Sequence, residues 1–167
     1  MAQLRLARPE ENTAAMAVID EAKAFLKQQG IDQWQKGYPD SDCIRRDLAA
    51  QKGWFVTDDE DTVLGYFCLD FDGEPAYQNL QGRWLSDAPY AVVHRLAFSG
   101  RARGKGLAGE VFRLVEEHCT AKGIPSLRCD TDEDNRIMKN LLSKQGFTYC
   151  GTIWFDNSVK IAYEKLL

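Results

Sequence analysis

The stretch from Ala88 to Gly109 carries Arg95, Arg101, Arg103 and Lys105 and not one acid, in a chain whose net charge is −4. Arg101 and Arg103 fall just before, and Lys105 within, a segment that reads Gly104-Lys105-Gly106-Leu107-Ala108-Gly109, where a helix is predicted from about Gly104 to Ala121. The first N–H groups of a helix lack intrahelical acceptors and carry a partial positive charge. Glycines let a phosphate approach those groups, and Arg103 and Lys105 add full charges. The pattern predicts an anion cradle suited to a pyrophosphate. It is not a magnesium-binding nucleotide loop, because Gly106 stands where Ser or Thr would hold the metal. It is read as distinct from a dinucleotide turn as well, for want of an early βαβ unit around it.

Proton-transfer candidates are few. His94 lies on the strand that leads into this loop, and an imidazole titrates near neutrality. Asp130 heads an acidic run with Asp132, Glu133 and Asp134. Buried, its carboxyl would hold its proton more tightly and become a useful base. The run itself complements a helix N-terminus and would also attract a cationic amine. Trp34, Tyr38 and Tyr90, with Trp84, are aromatic faces that could wall a pocket for an amine. His118 falls on an apolar helical stripe and reads as packing. The five cysteines form no C-x-x-C pair, so no zinc set is legible and no metal is expected.

These residues need elements to position them. Alternation from Gln3 to Ala7 predicts a strand. Apolar positions from Ala15 to Leu26 keep a helical period until Gly30. A shorter helix is expected over Ser41 to Gln51, and two strands, Trp54 to Thr57 and Thr62 to Phe71, flank an acidic turn. Gly73 to Pro89 reads as a long loop. Tyr90 to Phe98 reads as a buried strand, Ser126 to Cys129 as a short one, and Asn135 to Lys144 as a helix. Thr148 to Phe155 and Val159 to Glu164 close the chain as strands. The order predicts one mixed α/β domain over residues 1–167, largely antiparallel in its first half.

Two of these motifs carry a resemblance. Arg103-Gly104-Lys105-Gly106-Leu107-Ala108 resembles the Q/R-x-x-G-x-G/A acetyl-CoA loop of the GNAT superfamily of N-acetyltransferases, and Arg95-Leu96-Ala97-Phe98 resembles the strand before it. Asn135-x-x-Met138-x-x-Leu141-x-x-x-x-Gly146-Phe147 resembles the family's later helix. The resemblance implies a central, mostly antiparallel sheet flanked by helices, with acetyl-CoA or CoA as co-substrate. It implies that Leu96, Ala97 and Phe98 offer backbone groups to the pantetheine arm, that Gly104 to Gly109 wrap the pyrophosphate, and that Asn135 holds the pantetheine. Where many relatives carry a Tyr that protonates the departing thiolate, this chain has Leu142, whose ordinary role is packing. Tyr149 is the nearby alternative acid, and Asp130 lies near where some relatives place a catalytic Glu. The implied reaction is direct acetyl transfer to a primary amine of a small molecule or peptide. A catalytically silent CoA-binding sensor or scaffold is the alternative. A homodimer is common among relatives.

Composition limits what else the chain does. With 44% hydrophobic and 28% charged residues it reads as an ordered globular chain. A pI near 5.2 argues against a nucleic-acid or anionic-membrane partner. The longest apolar run, Ala14 to Ile19, is far short of the ~20 residues that span a bilayer. The N-terminus lacks a signal-peptide layout, and a cytoplasmic, reduced setting is expected.

Overall fold

The computed structural model describes residues 1–155 and 157–167. It is mixed α/β, with mostly antiparallel strand pairing, and its chain divides into two compact units. The first unit comprises residues 1–69 and 95–111, the second residues 70–94 and 112–167.

In the first unit, strand β1 (Gln3–Leu6) leads to a 3-10 turn at Pro9–Glu11 and helix α1 (Asn12–Gln28). The Glu11 carboxylate fastens the turn by accepting from the Arg8 N–H and from the Arg5 guanidinium. Helix α1 buries Ala15, Val18, Ile19 and Ala22, the expected stripe. Asp40 caps helix α2 (Ser41–Ala49) by accepting from the Cys43 N–H at 2.8 Å. Strands β2 (Gly53–Thr57) and β3 (Val63–Asp70) pair antiparallel, and their turn is closed by Asp58, which accepts from the Glu60 and Thr62 N–H groups. Ile19, Ile44, Leu48, Phe55 and Tyr66 form this unit's core. The ladder runs β1-β2-β3 and on to the later half of β5 (Ala91–Phe98).

The second unit pairs the earlier half of β5 in parallel with β6 (Ser126–Asp132), through Ala91 and Val92 only. Beyond β6 come β8 (Ser158–Leu166), β7 (Thr148–Phe155) and β4 (Gln81–Gly82), all antiparallel. Helix α3 (Leu107–Ala121) buries Val111, Phe112, Val115 and Cys119, and α4 (Arg136–Lys144) buries Leu142. Gly151, at φ +149°, stands where an added Cβ would meet the Gln81 carbonyl oxygen at 2.3 Å, so only glycine admits β4 there.

Three expectations need correction. Helix α3 starts at Leu107, not Gly104, because Gly104 and Gly106 take left-handed φ values of +78° and +69° that end any helical run. Strand β6 continues to Asp132, so Asp130 lies within a strand instead of after one; β8 pairs with all seven of its residues. The stretch from Gly73 to Pro89 contains a 3-10 turn at Pro75–Asn79 and β4.

Candidate active site

Alternation along β6 puts Arg128, Asp130 and Asp132 on one face and Leu127, Cys129 and Thr131 on the other. Asp130 is partly buried, and the fully enclosed Tyr77 phenol donates to its Oδ2 at 2.7 Å. Burial pushes the Asp130 carboxyl up to about 6, with the charges of Glu74 and Asp132 adding to it; the Tyr77 hydrogen bond and Lys160 oppose the rise. Burial first, and then the Asp130 charge, hold the Tyr77 phenol well above its ordinary range. Asp132 itself is paired with the Lys160 ammonium.

Glu74, whose charge acts on this carboxyl, also lies near the second candidate. Its Oε1 lies 3.8 Å from His94 Nε2, and its Oε2 accepts from the Ala76 N–H at 3.2 Å. His94 is 9% exposed and stacks on Phe155 at 6.3 Å. Asp130 and His94 thus belong to one cluster, completed by Glu74 and Tyr77. Neither of those two stands out in the sequence, since both fall in the irregular stretch after β3. Tyr149 is elsewhere on its strand's surface: it is 56% exposed and meets Tyr163 edge-to-face at 6.0 Å, where a strand tyrosine is ordinarily core. Leu142 is fully buried, as packing requires. All five cysteines are free and buried, and burial pushes the Cys43, Cys119, Cys129 and Cys150 thiols up, away from nucleophilic thiolate.

In the first unit, the glycine loop fits an anion. Gly104 and Gly106 have nothing within 4 Å of an added Cβ, Arg101 and Lys105 are exposed, and helix α3 opens directly after them. Leu107, Ala108 and Gly109 form its first turn, the position of the unpaired N–H groups. Arg103 is otherwise employed. Its Nη2 donates to the Glu21 and Phe98 carbonyl oxygens at 3.0 Å, and its guanidinium lies 4.3 Å over the Phe25 ring. It fastens the loop to α1. Leu96, Ala97 and Phe98 follow Arg95, which holds a left-handed φ of 55° in mid-strand. Asn135, in the second unit, is buried and caps α4 by accepting from the Met138 N–H at 3.1 Å.

The three aromatic candidates separate. Trp34 packs partly buried on the first unit's core, and Tyr38 Oη accepts from Arg95 Nη1 at 2.7 Å. Tyr90 belongs to the second unit, where its Oη accepts from the Glu74 N–H at 3.3 Å. With Phe71, Asp72, Glu74 and Asp87 it lines a cavity of about 680 Å³.

The ground given for excluding a dinucleotide turn fails, although the exclusion itself agrees with the family. Gly104-x-Gly106-x-x-Gly109 does spell the glycine spacing of dinucleotide turns, and β5, α3 and β6 form a parallel β-α-β connection. Likeness to known proteins decides between the two. The acetyltransferase (GNAT) family model matches residues 15–147. A GNAT-family acetyltransferase from Streptococcus agalactiae is 37% identical, with TM-score 0.89, covering 99% of this chain and 95% of that one. One from Listeria monocytogenes is 18% identical at TM-score 0.80, covering 99% and 95%. The aminoglycoside acetyltransferase AAC(6')-Ib, in complex with coenzyme A and kanamycin, is 17% identical at TM-score 0.70, again covering 99% and 95%. No curated protein matches the chain.

Proposed function

Since the chain belongs to the GNAT family of acetyltransferases, we propose that it moves the acetyl group of acetyl-CoA onto a primary amine of a small molecule or peptide by direct attack in a ternary complex. The observation that carries the reading is the Asp130 cluster: a carboxylate with a pKa of about 6, fixed by the Tyr77 phenol and neighboured by Glu74 and His94. A base of that strength is ionised at neutral pH and accepts the proton an attacking ammonium must shed.

The roles follow. The amine nitrogen attacks the thioester carbonyl carbon, its proton passes to Asp130, and the C–S bond breaks. Water protonates the thiolate, because Leu142 is a core leucine. Tyr149 would have to act from an exposed position. Leu96, Ala97 and Phe98 receive the pantetheine arm, Gly104 to Gly109 with Arg101 and Lys105 receive the pyrophosphate, and Asn135 holds the pantetheine through its remaining amide capacity. Arg103 shapes the loop. The cavity bearing Tyr90, Asp72, Glu74 and Asp87 suits a cationic acceptor, and kanamycin, an aminoglycoside, accompanies coenzyme A in one related fold. The free, buried thiols fit a cytoplasmic, reduced setting.

Calorimetric titration with acetyl-CoA and CoA, with ATP as control, tests the donor; thiol release with a panel of primary amines tests the reaction. Binding of both CoA forms and amine-dependent thiol release are expected. Leu142 in place of an acid favours the second reading, a silent CoA-binding module; binding without release for any amine would establish it.

A further inference from the structure

Arg128 stands two residues before Asp130, on the same face of β6. Its side chain is 6% exposed and that of Glu164 is 0%. Their approach, Nε to Oε2 at 3.5 Å, is too long for a good hydrogen bond, and Nε is buried without a partner among the described residues. The Glu164 carboxylate accepts instead from the Leu85 N–H and from the Ser86 and Ser126 hydroxyls. A buried ion pair is weak evidence for stability, and apolar groups of similar volume often hold a fold as well. A cation kept here points to a task other than stability.

That task shows in what the guanidinium touches. It lies 4.0 Å over the Trp84 ring and 4.0 Å over the Tyr90 ring, and its Nη2 donates to the Ser86 carbonyl oxygen at 2.7 Å. Tyr77 completes the group. Its ring centroid is 5.1 Å from that of Trp84 and 6.2 Å from that of Tyr90, and its carbonyl oxygen accepts from Trp84 Nε1 at 3.0 Å. A planar, delocalised cation stacks on aromatic faces in a way that an ammonium on a flexible stem does not. Two of these rings lead to the site: Tyr77 Oη donates to Asp130, while Tyr90 lines the cavity and accepts from the Glu74 N–H. Asp130 is also faced by Glu74, by Asp132 of its own strand and by Lys160 of β8, with His94 of β5 beyond Glu74.

We propose that Arg128 is a positioning residue for acetyl transfer: its guanidinium fixes Trp84 and Tyr90, and through them Tyr77, so that Asp130 and the cavity wall keep one geometry. This rests on the reading of Asp130 as the base and of the cavity as the place of the acceptor. Arg128 acts through the rings.

The first readout is Asp130 itself and needs no acceptor. In protein carrying ¹³C at the aspartate carboxyl carbons, the Asp130 signal is the one lost in Asp130→Asn, and NMR follows its titration midpoint. Tyr77→Phe keeps the ring but removes a donor that favours the ionised carboxylate, so it should move the midpoint up by about half a pH unit or more. Arg128→Lys keeps the charge, and Arg128→Leu with Glu164→Gln removes the buried pair; both should move the midpoint the same way. The second readout is kinetic. Both should raise KM for the fastest-reacting primary amine of a panel about three- to tenfold, with the Kd for CoA within about twofold of wild type. Trp84→Leu leaves the ion pair in place and should give the same two effects, even where the other variants fail to fold. Either readout at its wild-type value in the folded variants would overturn the role, as would a midpoint that Tyr77→Phe leaves unmoved. If Asp130→Asn releases CoA as fast as wild type, the reading of the base falls instead; if wild type acetylates no amine, the reading of the acceptor does.

Discussion

Asp130 keeps its proton more tightly in the folded chain than in the unfolded one, since burial lifts its carboxyl from 3.8 to about 6. The folded state therefore binds more protons between those two values, and stability falls as pH rises through that window. That difference corresponds to roughly 3 kcal/mol, fully felt above pH 6. Asp130→Asn should raise the melting temperature at pH 8 and leave it nearly unchanged at pH 3.5, while kcat/KM drops about a hundredfold or more. In wild type, kcat/KM should rise with pH up to about 6 and then level. A mutant that is both less active and less stable at pH 8 would show Asp130 to be structural. Gly106→Glu should abolish CoA binding in a protein that still folds: an added Cβ meets nothing within 4 Å, and strain at φ +69° is the main cost, on the order of 1 kcal/mol. Calorimetry and a melting curve on the same sample check it. His94 stood out as a candidate because the chain has only two histidines, and Asp130 because it heads an acidic run. Glu74 and Tyr77 were not, because Tyr77 reaches Asp130 across 53 residues of chain and no local pattern encodes that pairing.

At the level of elements, β8 does more than close the ladder. Its fully buried Glu164 accepts from the Leu85 N–H at 2.8 Å, from Ser86 Oγ at 2.9 Å and from Ser126 Oγ at 2.5 Å. Beside it, the Arg128 guanidinium lies 4.0 Å over both the Trp84 and Tyr90 rings. Together they strap the chain from Trp84 to Tyr90 onto β6 and β8. Glu164→Ala strips that strap and leaves Arg128 uncompensated, a loss expected to be about 3–5 kcal/mol by urea unfolding. Helix α1 was legible from its periodicity, while the caps that start α2 and α4, Asp40 and Asn135, are seen in the structure. The start of α3 was misread because two glycines at positive φ look like a helix opening in letters alone. Strand β4 left no signal: two residues pair with β7 only because Gly151 lets them approach.

For the molecule as a whole, a net charge of −4 and an acid-free basic segment have a joint consequence. CoA should be drawn to one place on an otherwise acidic protein, and its affinity should weaken several-fold as added salt shortens the Debye length from about 10 Å at 0.1 M to about 3 Å at 1 M. Affinity unchanged by salt would remove the basic loop from the donor site. The family was legible because two motifs, around Arg103 and around Asn135, stand at a fixed separation. The acceptor was not, because the candidate aromatics Trp34, Tyr38 and Tyr90 come from separate segments and all three are engaged in packing or hydrogen bonding. The most direct measurement is mass spectrometry of the products formed by the full chain from acetyl-CoA and a panel of primary amines. Amine-dependent free CoA together with a matching acetamide is the expected result. Acetyl-CoA bound tightly, yet converted no faster with any amine than without one, would contradict N-acetyl transfer.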